Sequence, residues 1–497
     1  MRNYMLAVLI GVFLCSCMVT PRPLTMQDIE QRAENDFQTM FADQEPVTGP
    51  ITLYEATARA IRYNLDHRLR LMEEMLAARQ LDVSRYDLLP QLTASAGYDY
   101  RNKYSGAYSE SLIDGSQSLV ASTSRERNVL TTDISMMWNV LDFGVSYVRA
   151  NQQADRVLIS VERRRKVVQN ITQDVCDAYW RAASSERLLP KMDDLLKLAN
   201  AALERSEKVA EQRLKPPHES LEYQRSLLEN IRLLWGLIQR LRPAKAELAV
   251  LMNLPPGTPY QLAEPDWESP NIPSFEHVET LEHLAMIYRP ELREEDYKRR
   301  ITTLETRKAI LEMLPGITLD FGYNYDSNNF LYNQSWWDAG ARISLNLFNL
   351  LSGPVAYRAA QARGTLDDVR RKALSMAVLT QVHLAFQRYQ ITKEEYGISR
   401  RLDEVNSQLD AQIAKSASAG GADDATVIRS ATNALLANMR HHLAYAELRN
   451  AAARIHNSIG IDLLPTDIES PDIELLSQAL EHAFDEWSQQ INETPVP

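Results

Sequence analysis

The sequence is poor in several residue types, and each shortage excludes a class of protein. Only three of its 497 residues are cysteines, and Cys176 alone lies outside the N-terminal segment, so no intramolecular disulfide is expected and Cys176 is predicted to be a small core residue. Glycine (17) and phenylalanine (10) are scarce, whereas Ala, Leu, Arg, Glu and Gln are common, a composition typical of long helices. The formal net charge of −12 argues against a nucleic-acid-binding protein, which normally carries a basic face.

Long apolar runs and catalytic motifs are also missing. No run of 18 or more apolar residues exists beyond the N-terminus, so no helix of the mature protein is expected to cross a bilayer. The sequence contains no glycine-rich phosphate loop, no Gly-x-Ser-x-Gly motif and no metal-ligand spacing. His441 and His442 are adjacent, so they point in different directions on a helix, and a solvated helix face is expected for them. We therefore expect neither enzymatic activity nor a cofactor.

The N-terminus has the pattern of an export signal. Arg2 supplies a positive charge, and residues 4–14 form an apolar core. The run Leu14-Cys15-Ser16-Cys17 resembles a bacterial lipoprotein box, which predicts a signal peptide over 1–16 and lipids, palmitate among them, on Cys17. Met18 is not the Asp that holds lipoproteins at the inner membrane, so outer-membrane delivery is expected. The alternatives are an ordinary secretory signal and an uncleaved anchor.

The most informative positive feature is an internal duplication with an offset of 225 residues. Each copy has a stretch of helical periodicity, then Leu-Pro, then strict apolar/polar alternation, then a very long helical stretch. A unit whose hydrophobic period changes from 3.6 to 2 and back must cross different environments, which favours a protein that spans two media. The matching pairs are Ala60 and Ala285, Tyr63 and Tyr288, Arg68 and Arg293, Pro90 and Pro315, Gly97 and Gly322, Tyr98 and Tyr323, and Tyr100 and Tyr325.

The alternating segments predict four strands in two hairpins, at about 91–103, 128–141, 316–327 and 339–349. Strands of about ten residues with one apolar and one polar face suit a tilted crossing of a bilayer. Aromatic residues at the strand ends and in the loops favour a membrane–water boundary; these are Tyr104, Tyr108, Tyr332, Trp336 and Trp337. The alternative is a soluble sandwich. In the membrane interpretation the polar faces line a lumen, and the charged or amide residues expected there are Asp99, Asp133, Asp320, Asn324 and Arg342.

The helical segments set the domain organisation. Long helices are predicted over 146–213 and 354–418, each with the 4-3 apolar spacing of a coiled coil. Pro190 is expected to kink or break the first one. Each long helix is followed by a tip and a shorter return helix, and the helix before each hairpin supplies the remaining length. The expected domains are a leader at 17–50, a first repeat at 51–254, a proline-rich linker at 255–276, a second repeat at 277–465 and an acidic tail at 466–497.

These features together resemble the TolC family of outer-membrane efflux channels, in its lipoprotein branch. The motifs that carry the resemblance are Thr52-Leu53-x-Glu55-Ala56, Leu88-Leu89-Pro90, Asn139-x-Leu141-Asp142-Phe143-Gly144 and Leu345-x-Leu347-Phe348. The resemblance covers residues 51 to 465. It implies a mostly α protein with a membrane β-barrel portion, in which a homotrimer forms a 12-stranded barrel continued by a long helical tube through the periplasm.

The resemblance also implies a function and partners. A periplasmic adaptor and an inner-membrane transporter would dock at the far end of the tube, and substrates would leave passively through the lumen. The tips would form the entrance; the residues singled out there are Pro216, Pro217, Gly420, Gly421, Asp423 and Asp424. The two aspartates would form carboxylate rings that favour cations, or would only cap the return helix. Two alternatives stay open: a channel for type I protein secretion, and a lipid-anchored periplasmic coiled-coil scaffold without a pore.

Overall fold

A computed structural model describes residues 21–42, 44–212, 216–264, 273–419, 421, 424–462 and 472–493. Cys17, Gly420 and Asp423 lie outside the described residues. A short helix α1 (Met26–Thr39) precedes the first repeat. That repeat contains, in order, α2 (Leu53–Tyr63), α3 (Leu65–Tyr86), β1 (Gln91–Tyr100), β2 (Ala107–Glu110), β3 (Gln117–Ser122), β4 (Asn128–Asn139), α4 (Val140–Glu211), α5 (Pro217–Leu241) and α6 (Ala244–Leu251).

The second repeat follows the same plan without the small extra hairpin. It contains α7 (Val278–Tyr288), α8 (Pro290–Leu311), β5 (Gly316–Asp326), β6 (Ser335–Ser344), α9 (Leu347–Ser418) and α10 (Asp424–Ile459), and a final helix α11 (Ile473–Glu493) follows it. Among the described helices, none combines the length and the apolarity that crossing a membrane requires.

Local capping explains where the helices begin. The Thr52 hydroxyl accepts a hydrogen bond from the Glu55 N–H at 3.1 Å and so caps the start of α2. At the two strand-to-helix transitions an asparagine caps the helix. The side-chain oxygen of Asn139 accepts a hydrogen bond from the Leu141 N–H, and that of Asn346 accepts one from the Phe348 N–H, both at 3.0 Å. An asparagine cap thus converts a strand into a helix in each repeat without an intervening loop.

The helices before the hairpins are not continuous, in contrast to the expectation. Asn64 has an extended backbone and separates α2 from α3, because its side chain caps the N–H groups of Asp66 and His67. Arg289 occupies the matching place between α7 and α8, and its guanidinium is buried. This guanidinium donates to the carbonyls of Asn457 (3.0 Å) and Ser458 (2.8 Å) and so ties this break to the end of α10.

The long helices differ from the predicted ones in two respects. Both contain 72 residues and begin earlier than expected, directly after the capping asparagines. The first also continues through Pro190, so the expected break is wrong. The physical reason is packing: Leu188 and Met192 on either side are fully buried against α5 and α10, and this burial offsets the hydrogen bond that proline removes.

The two hairpins join in one antiparallel sheet with the strand order β1-β4-β5-β6. Pairing of β4 with β5, for example Ile134 opposite Tyr323, connects the two repeats. The strand β6 begins and ends earlier than the expected 339–349, because cross-strand pairing extends back to Tyr325 opposite Ser335 and includes Trp336 and Trp337. The polar, serine-rich stretch between β1 and β4 contains the β2–β3 hairpin.

The main apolar core lies in the helical part of the molecule, distant from the sheet. It brings together α2, α6 and α7, the middle of the two long helices and the end of α10. Ile51 pairs with Leu262 in an isolated bridge, and Tyr54 and Tyr288 contact Phe484 and Trp487 of α11. Cys176 belongs to this core and is buried. Burial raises the pKa of its thiol to about 11.

Candidate functional site: a two-faced sheet and a helical tip

The residues expected to line a lumen all lie on one face of the four-stranded sheet. Asp133 sits opposite Ser95 on one side and Asn324 on the other, and its carboxylate accepts a hydrogen bond from the Ser95 hydroxyl. Asp320 belongs to the same face, as does Arg342 opposite Thr318. The five residues predicted separately from each strand are thus brought together by the register.

The carboxylate of Asp99 has a cationic partner. The Arg125 guanidinium donates to it at 2.7 Å from the segment that leads into β4. Both side chains are substantially exposed, so this ion pair contributes little to stability and leaves the face acidic.

Two further acids lie on this face and were not in the predicted lumen set. Asp326 lies opposite Thr131, and Asp338 lies opposite Gly322 and accepts a hydrogen bond from the Asn324 amide. Asp326 was within the predicted strand and follows from strict alternation. Asp338 was missed because β6 was expected to begin one residue after it. The polar face therefore carries five aspartates per chain: Asp99, Asp133, Asp320, Asp326 and Asp338.

Glycines make room for two of these carboxylates. A Cβ added at Gly340 would lie 2.9 Å from Cγ of Asp320, and one added at Gly322 would lie 2.8 Å from Oδ1 of Asp338. Each aspartate therefore lies across the backbone of the neighbouring strand. Any larger residue at either glycine would push a carboxylate away from the sheet.

The opposite face of the sheet is apolar, and none of the described residues outside the sheet covers it. The ring of Trp337 contacts those of Phe321 and Tyr323 there, with centroid distances of 5.2 Å and 4.7 Å. Leu92 on β1 is 72% exposed and Ile343 on β6 is 73% exposed. The sheet is a single layer that is open on both sides, which contradicts a sandwich packed within one chain.

Both edges of this sheet are free within the described part of the chain. β1 pairs only with β4, and β6 pairs only with β5. Each edge strand is about ten residues long and presents unpaired backbone N–H and C=O groups, which is the arrangement that templates pairing with another chain.

The helix α9 carries a second uncovered apolar surface, which we call the α9 seam. It consists of residues spaced by seven, each more than half exposed: Leu384, Ile391, Ile398 and Val405. The opposite side of α9 is packed against α10, where Tyr389, Tyr396 and Asp403 are buried. Heptad spacing of exposed aliphatic residues is the pattern of a coiled-coil contact with another helix.

Two cavities lie where the sheet meets the helices. One of about 590 Å³ extends between Pro90, Asn139 and the start of α4, and one of about 390 Å³ lies between α4, α8 and α9. Asp142, Ser146 and Arg149 line both cavities. These three residues lie on one side of α4, so its polar side continues the polar face of the sheet.

Part of the tip can be placed. Pro216 precedes α5 and Pro217 is its first residue, which suits a helix start because proline has no N–H to leave unpaired. Gly421 donates its N–H to the Ser416 carbonyl at 2.9 Å, and a Cβ there would lie 2.7 Å from the Ser416 hydroxyl. Asp424 is the first residue of α10. Within the described part of the tip, Gly421 thus folds back on the last residues of α9.

The two histidines expected on a solvated face are instead packed between helices. The Nδ1 atom of His441 lies 2.9 Å from the Asp403 carboxylate, and its ring contacts Tyr396. His442 is only 2% exposed, and burial beside Arg187 lowers its pKa to about 4. The prediction was wrong because α10 packs on both long helices, with His441 beside Asp403 of α9 and His442 beside Arg187 of α4. Among the described residues, no cluster of His, Cys, Asp or Glu is arranged to hold a metal ion.

Comparison with known proteins gives similarity of structure and not of sequence. No protein-family model matches the chain, and no curated protein sequence matches it. Solved structures do. The outer-membrane channel CmeC of Campylobacter jejuni superposes with a TM-score of 0.66 at 12% identity, covering 94% of this chain and 98% of that one.

Two other channels show the same relationship. The open state of the MtrE outer-membrane channel of Neisseria gonorrhoeae gives a TM-score of 0.63 at 15% identity, covering 84% and 94% of the two chains. The outer-membrane protein VceC of Vibrio cholerae gives 0.59 at 13% identity, covering 82% and 96%. The chain thus has the fold of outer-membrane channels, and the resemblance to the TolC family that its sequence indicates is confirmed at the level of the fold.

Proposed function

We propose that three copies of this chain form an outer-membrane exit channel, which passively conducts substrates from an inner-membrane pump and a periplasmic adaptor to the cell exterior. The observation that carries the proposal is the single-layer sheet. It exposes an apolar face on one side and five aspartates on the other, and no part of the chain that the structure describes covers either face. Lipid outside and water inside satisfy both faces at once.

The free edges argue for the trimer. Four strands are too few to close a barrel, whereas three copies supply twelve, with β1 of each chain paired to β6 of the next. Closure would satisfy every backbone group that β1 and β6 now leave unpaired. The α9 seam would meet a helix of the neighbouring chain in the tube below the barrel, so the same assembly would cover both exposed surfaces.

The polar face supports conduction in place of catalysis. Five aspartates per chain against one arginine on the strands would give the barrel lumen a negative potential that favours cations. At the far end of the tube, Pro216, Pro217, Gly420, Gly421, Asp423 and Asp424 form the proposed entrance, where the adaptor would dock. A lipid anchor at Cys17 would hold the N-terminal leader at the outer membrane, with most of the protein in the periplasm.

The decisive experiment separates a channel from an anchored scaffold. Membranes that contain the protein with Cys17→Ala are extracted with carbonate and then with detergent. A barrel trimer stays in the membrane without its lipid and, once purified, conducts ions in planar bilayers. Release of the variant into the carbonate wash, with no conductance from the purified protein, would establish the scaffold alternative.

The nature of the cargo requires a genetic experiment. Loss of the gene should make cells sensitive to toxic small molecules if the channel serves efflux. A strain that keeps its drug tolerance but loses proteins from the culture medium would instead identify a type I secretion channel. The matched control is complementation with the intact gene, which restores whichever phenotype is lost.

A further inference from the structure

The aromatic residues on the apolar face of the sheet are concentrated at one end. Tyr98, Tyr100, Tyr323, Tyr325 and Trp337 all lie near the hairpin loops. Membrane barrels carry an aromatic girdle at both water boundaries of their apolar band. The other end of the sheet, where the strands pass into the long helices, therefore lacks most of its girdle.

That other end carries one aromatic residue on the apolar face, Trp138. The opening turns of α4 continue from it. Phe143 packs its ring against Trp138 with centroids 5.8 Å apart and an interplanar angle of 80°. Both rings also border the larger junction cavity, so Phe143 lies at the boundary between the cavity side and the apolar side of α4. Val140 and Tyr147, one turn before and one turn after Phe143, are 42% and 56% exposed.

The polar side of α4 lies opposite the side that carries Val140 and Tyr147. Arg149 lines the two junction cavities, and it lies about 160° around the helix from Tyr147 because successive residues are about 100° apart. The start of α4 is thus divided into a polar side towards the cavities and an apolar side on which Val140 and Tyr147 are exposed among the described residues, with Phe143 between the two sides.

The start of α9 repeats this division. Asn349, Ser352 and Ala356 line a junction cavity. Leu347, Leu350 and Pro354 lie on the opposite side of the helix and are exposed. Tyr357 follows on that side, and the next turn brings the exposed Gln361. In both helices two turns of apolar residues end in a tyrosine and are then replaced by polar residues.

The sheet alone is slightly shorter than the apolar band of an outer membrane. A strand of ten residues such as β1, tilted by about 45°, rises about 23 Å through the membrane. The apolar band of outer-membrane barrels is about 25 Å tall, and the headgroup regions lie beyond it. Two helical turns add about 11 Å, enough to complete the band and to reach the headgroups.

We propose that the opening two turns of α4 and α9 lie in the inner leaflet of the outer membrane. Val140, Phe143, Leu347 and Leu350 contact acyl chains, and Tyr147 and Tyr357 lie at the headgroups as the lower aromatic girdle. We call this surface the helical lipid belt. The inference rests on the proposed membrane insertion of the sheet, and it adds that lipid contact continues past the last strand residue onto helices.

The test uses nitroxide labels on single cysteines introduced into the full-length Cys176→Ala protein, reconstituted in phospholipid bilayers. The substitutions Phe143→Cys and Leu350→Cys probe the belt, and Phe321→Cys probes the sheet. Ser146→Cys lies at the same height as the belt but on the polar side, and Gln361→Cys lies below it. At each label the collision rate of the nitroxide with oxygen, which is concentrated in lipid, is compared with its collision rate with a water-soluble nickel chelate. The ratio reports whether the label is surrounded by lipid or by water. Protein without an introduced cysteine supplies the background.

The expected result is oxygen-dominated collision at positions 143, 350 and 321, and nickel-dominated collision at 146 and 361. Nickel-dominated collision at 143 and 350 with a lipid-exposed 321 would overturn the belt and leave the membrane sheet intact. Nickel-dominated collision at 321 would overturn the proposed function itself.

A second measurement avoids substitution altogether, in case a labelled variant does not assemble. The unmodified protein is irradiated in bilayers that contain a phospholipid with a diazirine on its acyl chain, and the adducts are located by mass spectrometry. The belt requires adducts within residues 140–147 and 347–354. Adducts confined to the four strands would exclude it.

Discussion

The α9 seam makes the strongest prediction about assembly. Ile391 and Ile398 are 57% and 69% exposed in the isolated chain, one heptad apart, on the side of α9 that faces away from α10. If each isoleucine is covered by a neighbouring chain, its burial contributes about 1–2 kcal/mol. Over the six side chains of a trimer this sums to about 6–12 kcal/mol. The double substitution Ile391→Asp with Ile398→Asp should therefore abolish the trimer.

The assay is native mass spectrometry of the protein in a mild detergent, with light scattering as a second measure of mass. The matched control is Gly397→Asp, which adds one aspartate per chain next to Ile398, at a position where nothing lies within 4 Å of an added Cβ. The control should remain trimeric. If the seam were open to solvent, the double variant would change stability by only about 0.5 kcal/mol per site and would stay trimeric, which would refute the reasoning.

Three further predictions follow from the tip, the histidines and the buried arginine. Asp423→Ala with Asp424→Ala should raise single-channel conductance in planar bilayers and weaken cation selectivity; unchanged values would reject the aspartates as the constriction. His442 has a pKa of about 4 against an ordinary 6.5, so only the unfolded chain gains its proton as the pH falls below 6.5. Stability should then fall by about 1.4 kcal/mol per pH unit towards pH 4, and His442→Gln should flatten this dependence in thermal unfolding followed at 222 nm. Arg289→Leu leaves two carbonyls at the end of α10 without their donor and should destabilise that end by about 2–4 kcal/mol, measured as faster amide hydrogen exchange there; the more exposed Arg293→Leu should have little effect.

Periodicity was sufficient to predict the four strands of the sheet and the long helices, because the spacing of apolar residues differs between a strand and a helix. The residues predicted to line a lumen also lie on one face of the sheet, since strict alternation assigns Asp99, Asp133 and Asp320 to the same side once the strands pair. What alternation cannot supply is the start of a strand. Trp336 and Trp337 are adjacent aromatic residues, and only the pairing with Tyr323 and Asn324 shows that they belong to β6.

The remaining differences arise from contacts that are distant in sequence. Pro190 would break an isolated helix, but burial of its neighbours against α5 and α10 holds α4 continuous. Arg289 looks like any surface arginine in sequence, and its role depends on carbonyls at the end of α10. His442 is buried because α10 packs on both long helices, which no local pattern records.

The pairing of β4 with β5 has a consequence for the order of biogenesis. The strand β4 ends at Asn139 and its partner begins only at Gly316, after a long helix, its return helix and the linker have been synthesised. If the sheet is inserted in the outer membrane as proposed, the first hairpin crosses the aqueous compartment with its apolar face exposed until the second half of the chain arrives. Truncated products that stop before Gly316 should aggregate or be degraded, so export of the whole chain sets the earliest moment at which insertion can start.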